Sequence, residues 1–562
     1  MEAYQIILII VAVMAVIAII GFAMSAAAKK SLYARLLASF GQLKKSEFTY
    51  EEYESISHFF RNTVKDGEFF IDDITWNDLD MDKLFLMINN TNSSVGRDTL
   101  YKILRKPVAD RDILAERERL MEYFDTHSDE RTRIMQSFCD IGFTRRISIS
   151  DYMDNLFRLK PQSNVPHIIM LLCVILAFVY TFTIDAVSGV GLIIIASGVS
   201  IVSYYKYKSK IDSFFECVRQ LVCMVETADK ISRMQIPELS GYNAYFADTA
   251  ALFKKITRNS FVLVSHKDNS GSLADIIMEY IKMFTHVDLM KFNSVLRHFD
   301  RNYGEVLTLM DRLGLIEAMI SAASFRRLMP YMCRPVFEDG AGMELKNVYH
   351  LAIKEPVANS LSEKRPVLVT GSNASGKSTF LKSVAINAIL AQTINTCPAD
   401  SYRAPFYRIY SSMALADDLD SGESYYIVEI KSLKRIVDAA REPGMKVLCF
   451  IDEVLRGTNT VERIAASSEI LRNLADNGVM CFAATHDIEL THILEKFYSN
   501  YHFDEEVREN NVVFSYELKT GRATSRNAIK LLGIIGYDNG IIRNSEERAN
   551  DFINTGIWRH FQ

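Results

Sequence analysis

The chain has 562 residues, 49% hydrophobic and 24% charged, with a net charge of −5 at pH 7. That length accommodates two or three domains, and the near-neutral balance excludes a chain drawn to polyanions by its global field alone. Eight cysteines without a C-x-x-C pair or metal-like spacing argue against a zinc or disulfide framework and fit reduced cytosolic thiols.

The first predicted element, residues 6–24, runs 19 residues without a charged or strongly polar side chain. As a helix it measures about 28 Å, enough to cross the hydrocarbon of a bilayer. A signal peptide is the rival reading, since Ala26-Ala27-Ala28 resembles a cleavage site. No positive charge precedes the run, however, Glu2 being the one charged side chain before it, and the run is too long for a leader. Mixed-sign stretches such as residues 110–119 read as solvated helix faces. Residues 168–184 and 186–205 form a second apolar block broken by Asp185, which predicts a two-helix membrane hairpin.

Lys29, Lys30 and Arg35 follow the first span, Arg158 and Lys160 precede the hairpin, and Lys206, Lys208 and Lys210 follow it. The positive-inside rule puts these in the cytoplasm, leaving the N-terminus and the Asp185 turn outside. Tyr204-Tyr205-Lys206-Tyr207-Lys208 interleaves rings and lysines as a nucleic-acid patch would. At the end of an apolar span the same residues anchor the headgroup region, and that reading is preferred. Ile211, Phe214, Val218, Leu221, Val225 and Ala228 then recur at helical spacing, one stripe on a helix leaving the bilayer. The clearest linker is Asp268-Asn269-Ser270-Gly271-Ser272.

The chemistry lies further on. Gly371-Ser372-Asn373-Ala374-Ser375-Gly376-Lys377-Ser378-Thr379 is a complete G-x-x-x-x-G-K-[ST] phosphate loop between an apolar run (367–370) and a helical pattern (380–390). Such a turn aims backbone N–H groups at anionic oxygens; Lys377 reaches the outer phosphates and the Ser378 hydroxyl binds Mg²⁺. The apolar run 447–451 reads as a buried parallel strand ending in Asp452-Glu453, where one carboxylate can hold Mg²⁺ and the next can activate water. A third buried run, 480–484, ends at Thr485-His486-Asp487, where His486 can sense the γ-phosphate or simply cap the strand. Three strand ends on one sheet edge form the usual ligand crevice of an open α/β fold.

In order and wording these segments resemble the MutS family of ABC-class ATPases. Residues 371–379 are similar to its Walker A, and Asp417-Asp418-Leu419-Asp420-Ser421-Gly422-Glu423-Ser424-Tyr425, followed by Val428-Glu429, to its signature segment. Residues 451–460, with Arg456-Gly457-Thr458-Asn459-Thr460, resemble its Walker B, and 484–491 its switch-histidine segment. Upstream, residues 84–107, Arg334-Pro335 and Glu355-Pro356-Val357-Ala358-Asn359 are similar to its core domain and the approach to its ATPase.

The resemblance implies an α/β P-loop (ABC-type) ATPase domain C-terminal to an all-α core/lever domain; the three transmembrane helices read from the apolar runs are added to it and depart from the family pattern. The implied segments are an anchor (1–30), a helical region (31–165), a membrane hairpin (166–206), a helical core/lever (207–340, including a lever at 307–327), the ATPase (341–545) and a tail (546–562). It further implies ATP and Mg²⁺ as cofactors, with Ser378 and Asp452 as metal ligands and Glu453 and His486 as catalytic residues. Ser421, Gly422 and Ser424 of a second copy would complete the nucleotide cage, so that ATP holds a homodimer together on DNA. The implied whole is a multi-pass protein of the cell membrane with a cytoplasmic ATPase.

The sequence departs from the family pattern in several places. Residues 1–75 contain no Phe-x-Glu of the mismatch-reading kind, and no aromatic stands between Leu351 and Pro366 to stack an adenine. Phe214-Phe215-Glu216 and Phe503-Asp504-Glu505 match those letters by chance. The end at Gln562 leaves little for the family's C-terminal dimerisation segment. These departures keep a second reading open, a membrane-tethered ABC-type nucleotide switch that acts on a protein partner without DNA.

Overall fold

The computed structural model describes residues 3–44, 48–65, 67–144, 148, 151, 162–258, 273–340, 342–372, 375–413, 425–456, 458–508, 511–523 and 528–561. The predicted linker at 268–272, Asn373 and Ala374 of the phosphate loop, and Ser421, Gly422, Glu423 and Ser424 of the signature segment lie outside the described residues. The chain forms two compact units: residues 1–66, 86–103 and 117–328 make one, and 67–85, 104–116 and 329–562 the other.

The first unit is helical. Helices Val165–Thr183 and Ala186–Arg233 form a hairpin whose turn is capped by Asp185, its carboxylate accepting from the Ser188 N–H at 2.9 Å. The two helices cross so closely at Gly189 that a Cβ there would lie 2.5 Å from the Thr181 Cα. Both are long and apolar enough to cross a membrane, and only 17% and 11% of their most apolar stretches are buried. A core helix of that composition would be mostly buried.

Three spans were predicted, and two meet the length and composition test among the described residues. The remaining stretch, 6–24, lies within helix Ala3–Ser39, where most of its side chains are outside the described residues. Helix Ala186–Arg233 has 48 residues, about 72 Å of rise, and its lower half buries Val218, Leu221, Val225 and Ala228, the predicted stripe. Residues 307–327, read as a lever, belong almost wholly to helix Tyr303–Arg326.

The second unit is α/β. Its strands are β1 (Val336–Phe337), β2 (Met343–Val348), β3 (Asn359–Glu363), β4 (Val367–Thr370), β5 (Ser401–Ala404), β6 (Tyr407–Ser412), β7 (Lys446–Asp452), β8 (Met480–Thr485), β9 (Ser499–Arg508) and β10 (Asn511–Thr520). A small sheet runs β1-β5-β2-β3, and the main sheet β10-β9-β4-β8-β7-β6. In the main sheet β6, β7, β8, β4 and β9 are parallel and β10 closes one edge antiparallel.

The central strands are buried on both faces, as their unbroken apolar runs require. Side chains alternate across them. Leu368, Cys449, Ile451, Cys481 and Ala483 join one cluster with Leu433, Ile436, Leu471 and Leu474 of helices Tyr425–Arg441 and Thr460–Asp476. The Phe482 ring meets Phe380 of helix Lys377–Ile394 at 6.5 Å.

The exposed edge of β6 is covered by helix Asp73–Asp78. Thr75 Oγ1 accepts from the Ser411 N–H at 3.1 Å, and the Asp78 carboxylate accepts from the Ser411 hydroxyl (2.6 Å) and the Met413 N–H (2.9 Å). An edge strand whose N–H groups are satisfied in this way is closed to further pairing.

Candidate functional site: a phosphate-loop cleft

Parallel pairing sets Thr370, Thr485 and Asp452 at one edge of the main sheet, with Thr370 level with Thr485 and Asp452 level with Ala484. The loops that follow these strands carry the three predicted motifs. A cleft of about 820 Å³ opens there, lined by Lys377, Ser378, Asp452, Glu453, Arg456 and Tyr516 among others.

Gly376 is the N-cap of helix Lys377–Ile394 and sits at φ +107°, a conformation that suits glycine. A Cβ on it would stand 3.2 Å from the Tyr516 ring. Gly371, at φ +147°, leaves its Cβ position 2.9 Å from the Phe503 carbonyl. Both glycines therefore admit β9 and β10 against the loop. The Ser372 hydroxyl donates to the buried carboxylate of Glu505, which fixes the loop from below. Phe503-Asp504-Glu505, read from sequence as a chance match, thus has a structural task.

The Lys377 ammonium donates to the carbonyls of Gly371 (2.9 Å) and Ser372 (2.8 Å) and lies 3.4 Å from His486 Nε2. Burial lowers its pKa, and the carboxylates of Asp452 and Glu453 partly restore it. The ammonium is therefore a nearly buried cation held at the mouth of the helix, where an anion is already favoured.

Ser378 Oγ donates to Asp452 Oδ2 at 2.5 Å. Among the described residues no group of three or more His, Cys, Asp or Glu side chains converges as a metal-ligand set. The adjacent Ser378 and Asp452 oxygens instead fit Mg²⁺, which takes one or two protein oxygens and completes its shell with water and phosphate.

Glu453 occupies the left-handed region (φ +62°), as does Leu455 (φ +60°), so the chain turns sharply as it leaves β7. Strain of this kind persists where surrounding contacts hold it. The Glu453 N–H donates to the Ala484 carbonyl at 2.9 Å. Glu429, buried on helix Tyr425–Arg441, accepts from the N–H groups of Leu455 (2.6 Å) and Arg456 (3.1 Å).

The Glu453 carboxylate meets His486 Nε2 at 2.9 Å and Arg456 Nε at 2.7 Å. The hydrogen bond from His486 holds its pKa below the usual carboxylate range, with Arg456 and Lys377 adding to the effect against burial. It is ionised at neutral pH, the form a general base needs. His486 is positioned by its neighbour: Arg463 grips Asp487 bidentately at 2.9 and 2.6 Å, and the Asp487 N–H donates to Thr485 Oγ1 at 3.0 Å.

The structure therefore brings Lys377, Ser378, Asp452, Glu453 and His486 together. Sequence reading did not single out Arg463 or Tyr516, nor the pairing of Arg456 with Glu453, and it set Glu505 aside within a chance match. Tyr516 contributes an aromatic ring to the cleft lining, where the stretch between Leu351 and Pro366 has none. It sits at φ +55° where the pairing of β10 with β9 shifts register between Phe514 and Leu518. Asn359 pins that bulge, donating to the Tyr516 carbonyl (3.0 Å) and accepting from the Leu518 N–H (2.7 Å). A bulge re-aims a side chain, and this one turns a distant tyrosine onto the cleft.

Residues 367–553, which begin with β4 and contain every site strand that follows it, match the model of MutS domain V. The likeness to the MutS family is carried by this stretch of the chain. It is 31% identical over 252 residues to the DNA mismatch repair protein MutS of Thermosipho melanesiensis, covering 42% of this chain and 30% of that one. It is 29% identical over 340 residues to the protein of the same name from Pseudothermotoga lettingae (56% and 41%). Similarity to MutS protein homolog 4 of Mus musculus is 28% over 363 residues (58% and 37%). The match thus spans less than half the length of each of these relatives. Within residues 367–553, the cleft is built on the segments that resemble the family's Walker A, Walker B and switch-histidine motifs.

Proposed function

We propose that this chain is a Mg²⁺-dependent, membrane-anchored MutS-type ATPase that dimerises around ATP and grips DNA. The observation that carries the enzymatic part is the meeting of Ser378–Asp452 and Glu453–His486 near the Lys377 ammonium. Lys377 and the loop N–H groups bind the phosphates, and Tyr516 offers a ring to the base. Ser378 and Asp452 hold Mg²⁺, which when bound neutralises charge on the phosphate oxygens. Glu453 accepts the proton of the attacking water, and His486 reads the γ-phosphate across the shared carboxylate. Ser421, Gly422 and Ser424 of a second copy close the cage, so nucleotide binding and homodimer formation are one equilibrium.

Helices Val165–Thr183 and Ala186–Arg233, together with the apolar stretch 6–24, supply three spans. The lysines flanking them support a cytoplasmic ATPase and an N-terminus outside. The DNA part rests on the family and on the names of the relatives. Its test is the ATPase rate of the purified full chain with and without duplex, branched and mismatched DNA. Stimulation by any of these supports it. Turnover indifferent to all three, with no shift in a gel, favours a switch acting on a protein partner.

A further inference from the structure

Two cysteines outside the nucleotide site face each other across an isolated antiparallel bridge. The Cys333 N–H donates to the Cys397 carbonyl at 2.9 Å, and the Cys397 N–H returns the bond to Cys333 at 2.9 Å. In a doubly bonded antiparallel pair the Cα atoms lie about 5.5 Å apart, with side chains on the same face. A disulfide needs Cα atoms roughly 4.4–6.8 Å apart, which such a pair meets, and Cβ atoms about 3.5–4.5 Å apart, which a hydrogen-bonded pair reaches by a small inward shift of the two strands. Neither residue is in a disulfide.

The two thiols are unequal. Cys397 is fully buried and its Sγ leans on the Asn387 carbonyl at 3.9 Å, whereas Cys333 is only partly covered. A hydrogen bond with the Cys397 thiol lowers the Cys333 pKa, which raises its thiolate fraction. A second neighbouring pair, Cys449 and Cys481 on β7 and β8, is fully buried in the sheet, where no reagent enters.

We infer that Cys333 and Cys397 form a reversible disulfide by exchange with low-molecular-weight disulfides. The Cys333 thiolate attacks one sulfur of the small disulfide, breaking its S–S bond and releasing one thiolate. Cys397 gives its proton to solvent and attacks Cys333 Sγ, releasing the second small thiolate. Two protein thiols are oxidised and one small disulfide is reduced to two thiols. The bridge ties the segment just past residue 328, where the helical unit ends, to the turn that ends helix Lys377–Ile394. That helix begins at the phosphate-loop lysine, so the bond staples the frame of the cleft.

The experiment uses the full chain in detergent, reduced, desalted and incubated with glutathione disulfide, then digested and mapped by mass spectrometry. A Cys333–Cys397 linked peptide, two hydrogens lighter and reversed by dithiothreitol, is expected. Cys397→Ser should stop at a glutathione adduct on Cys333, and Cys333→Ser should give neither product. Oxidation should raise the thermal midpoint of the wild-type chain by a few degrees and leave Cys333→Ser unmoved. Absence of the linked peptide, or of the Cys333 adduct in Cys397→Ser, overturns the pairing. An unchanged midpoint in a chain shown to be bridged overturns the staple.

Discussion

The phosphate-loop cleft and the helical unit place polar groups in opposite ways. In the cleft, Lys377, Asp452, Glu453 and His486 sit within a few residues of glycine turns and strand ends, from nearly buried at Lys377 to partly exposed at Glu453 and His486. In the helical unit, polar groups lie fully inside and come from segments far apart. His167 meets His286 at 2.9 Å, His286 meets the Ser200 hydroxyl at 3.1 Å, and the Tyr204 hydroxyl donates to Asp288 at 2.8 Å. The cleft keeps its polar groups available for a ligand. The helical unit spends them on one another, as buried polar groups must be satisfied. Substitution in the first region should therefore change chemistry at little cost in stability, and the second should behave the other way round.

The largest expected effect is at Glu453. Glu453→Gln removes the proton acceptor while keeping shape, and ATP turnover should fall about 10²- to 10⁴-fold with bound ATP retained. Phosphate release and nucleotide retention on a filter measure both quantities. Turnover within a few-fold of the wild type would take Glu453 out of the mechanism.

Glu317 makes the converse case. It is fully buried on helix Tyr303–Arg326 and accepts from the Asn92 N–H at 2.5 Å and from the Ser93 hydroxyl. Burial pushes its pKa up to about 7 despite those bonds. The folded carboxyl therefore keeps a proton that the unfolded one releases near its ordinary value of 4.5. Stability from this group is fully present below that value and is lost as pH rises through about 7, by up to about 3 kcal/mol. Glu317→Gln should flatten this part of the stability–pH curve, read by denaturant unfolding between pH 5 and 8. A curve of unchanged slope would mean that the proton is not held there.

Arg463 lies between the two extremes. Its bidentate grip on Asp487 holds the strand end that presents His486, without touching the cleft. Arg463→Ala should lower turnover on the order of tenfold, since a charge-assisted pair contributes about 1.5–3 kcal/mol. Arg463→Lys should recover only part of it, because a lysine cannot make the planar fork. A loss seen wholly in folding stability would make the pair structural.

These differences match what the sequence made readable. The Walker A loop, the acids ending β7 and the histidine ending β8 are contiguous words, and each needed only a strand before it and a helix or turn after it. Tyr516 could not be read, because a bulge pinned by Asn359, far away in sequence, decides where its ring goes. Glu505 and Arg463 act through register and packing rather than spacing. The two apolar helices of the hairpin were legible from composition, since lipid-facing surface needs no partner. The polar cluster beside them was not, because His286 and Asp288 come from a segment more than 80 residues past Ser200 and Tyr204.

The hairpin turn gives the smallest effect and the finest separation of the two regions. Asp185 lies between two apolar helices, and its carboxylate caps the second by accepting from the Ser188 N–H. Hydrogen bonds from the Ser188 hydroxyl and then from the Ser188 N–H lower its pKa, so the cap is ionised at neutral pH. The first N–H groups of a helix have no internal partner, and a lost cap exposes them to exchange. Asp185→Ala should therefore speed exchange of the Ser188 amide a few-fold, while Asp185→Asn, which also caps, should leave it close to wild type. Neither variant should alter ATP turnover, since the turn belongs to the helical unit and the cleft to the other. Equal exchange in the alanine and asparagine variants would mean that the carboxylate sets the charge of the turn and not the fraying of the helix.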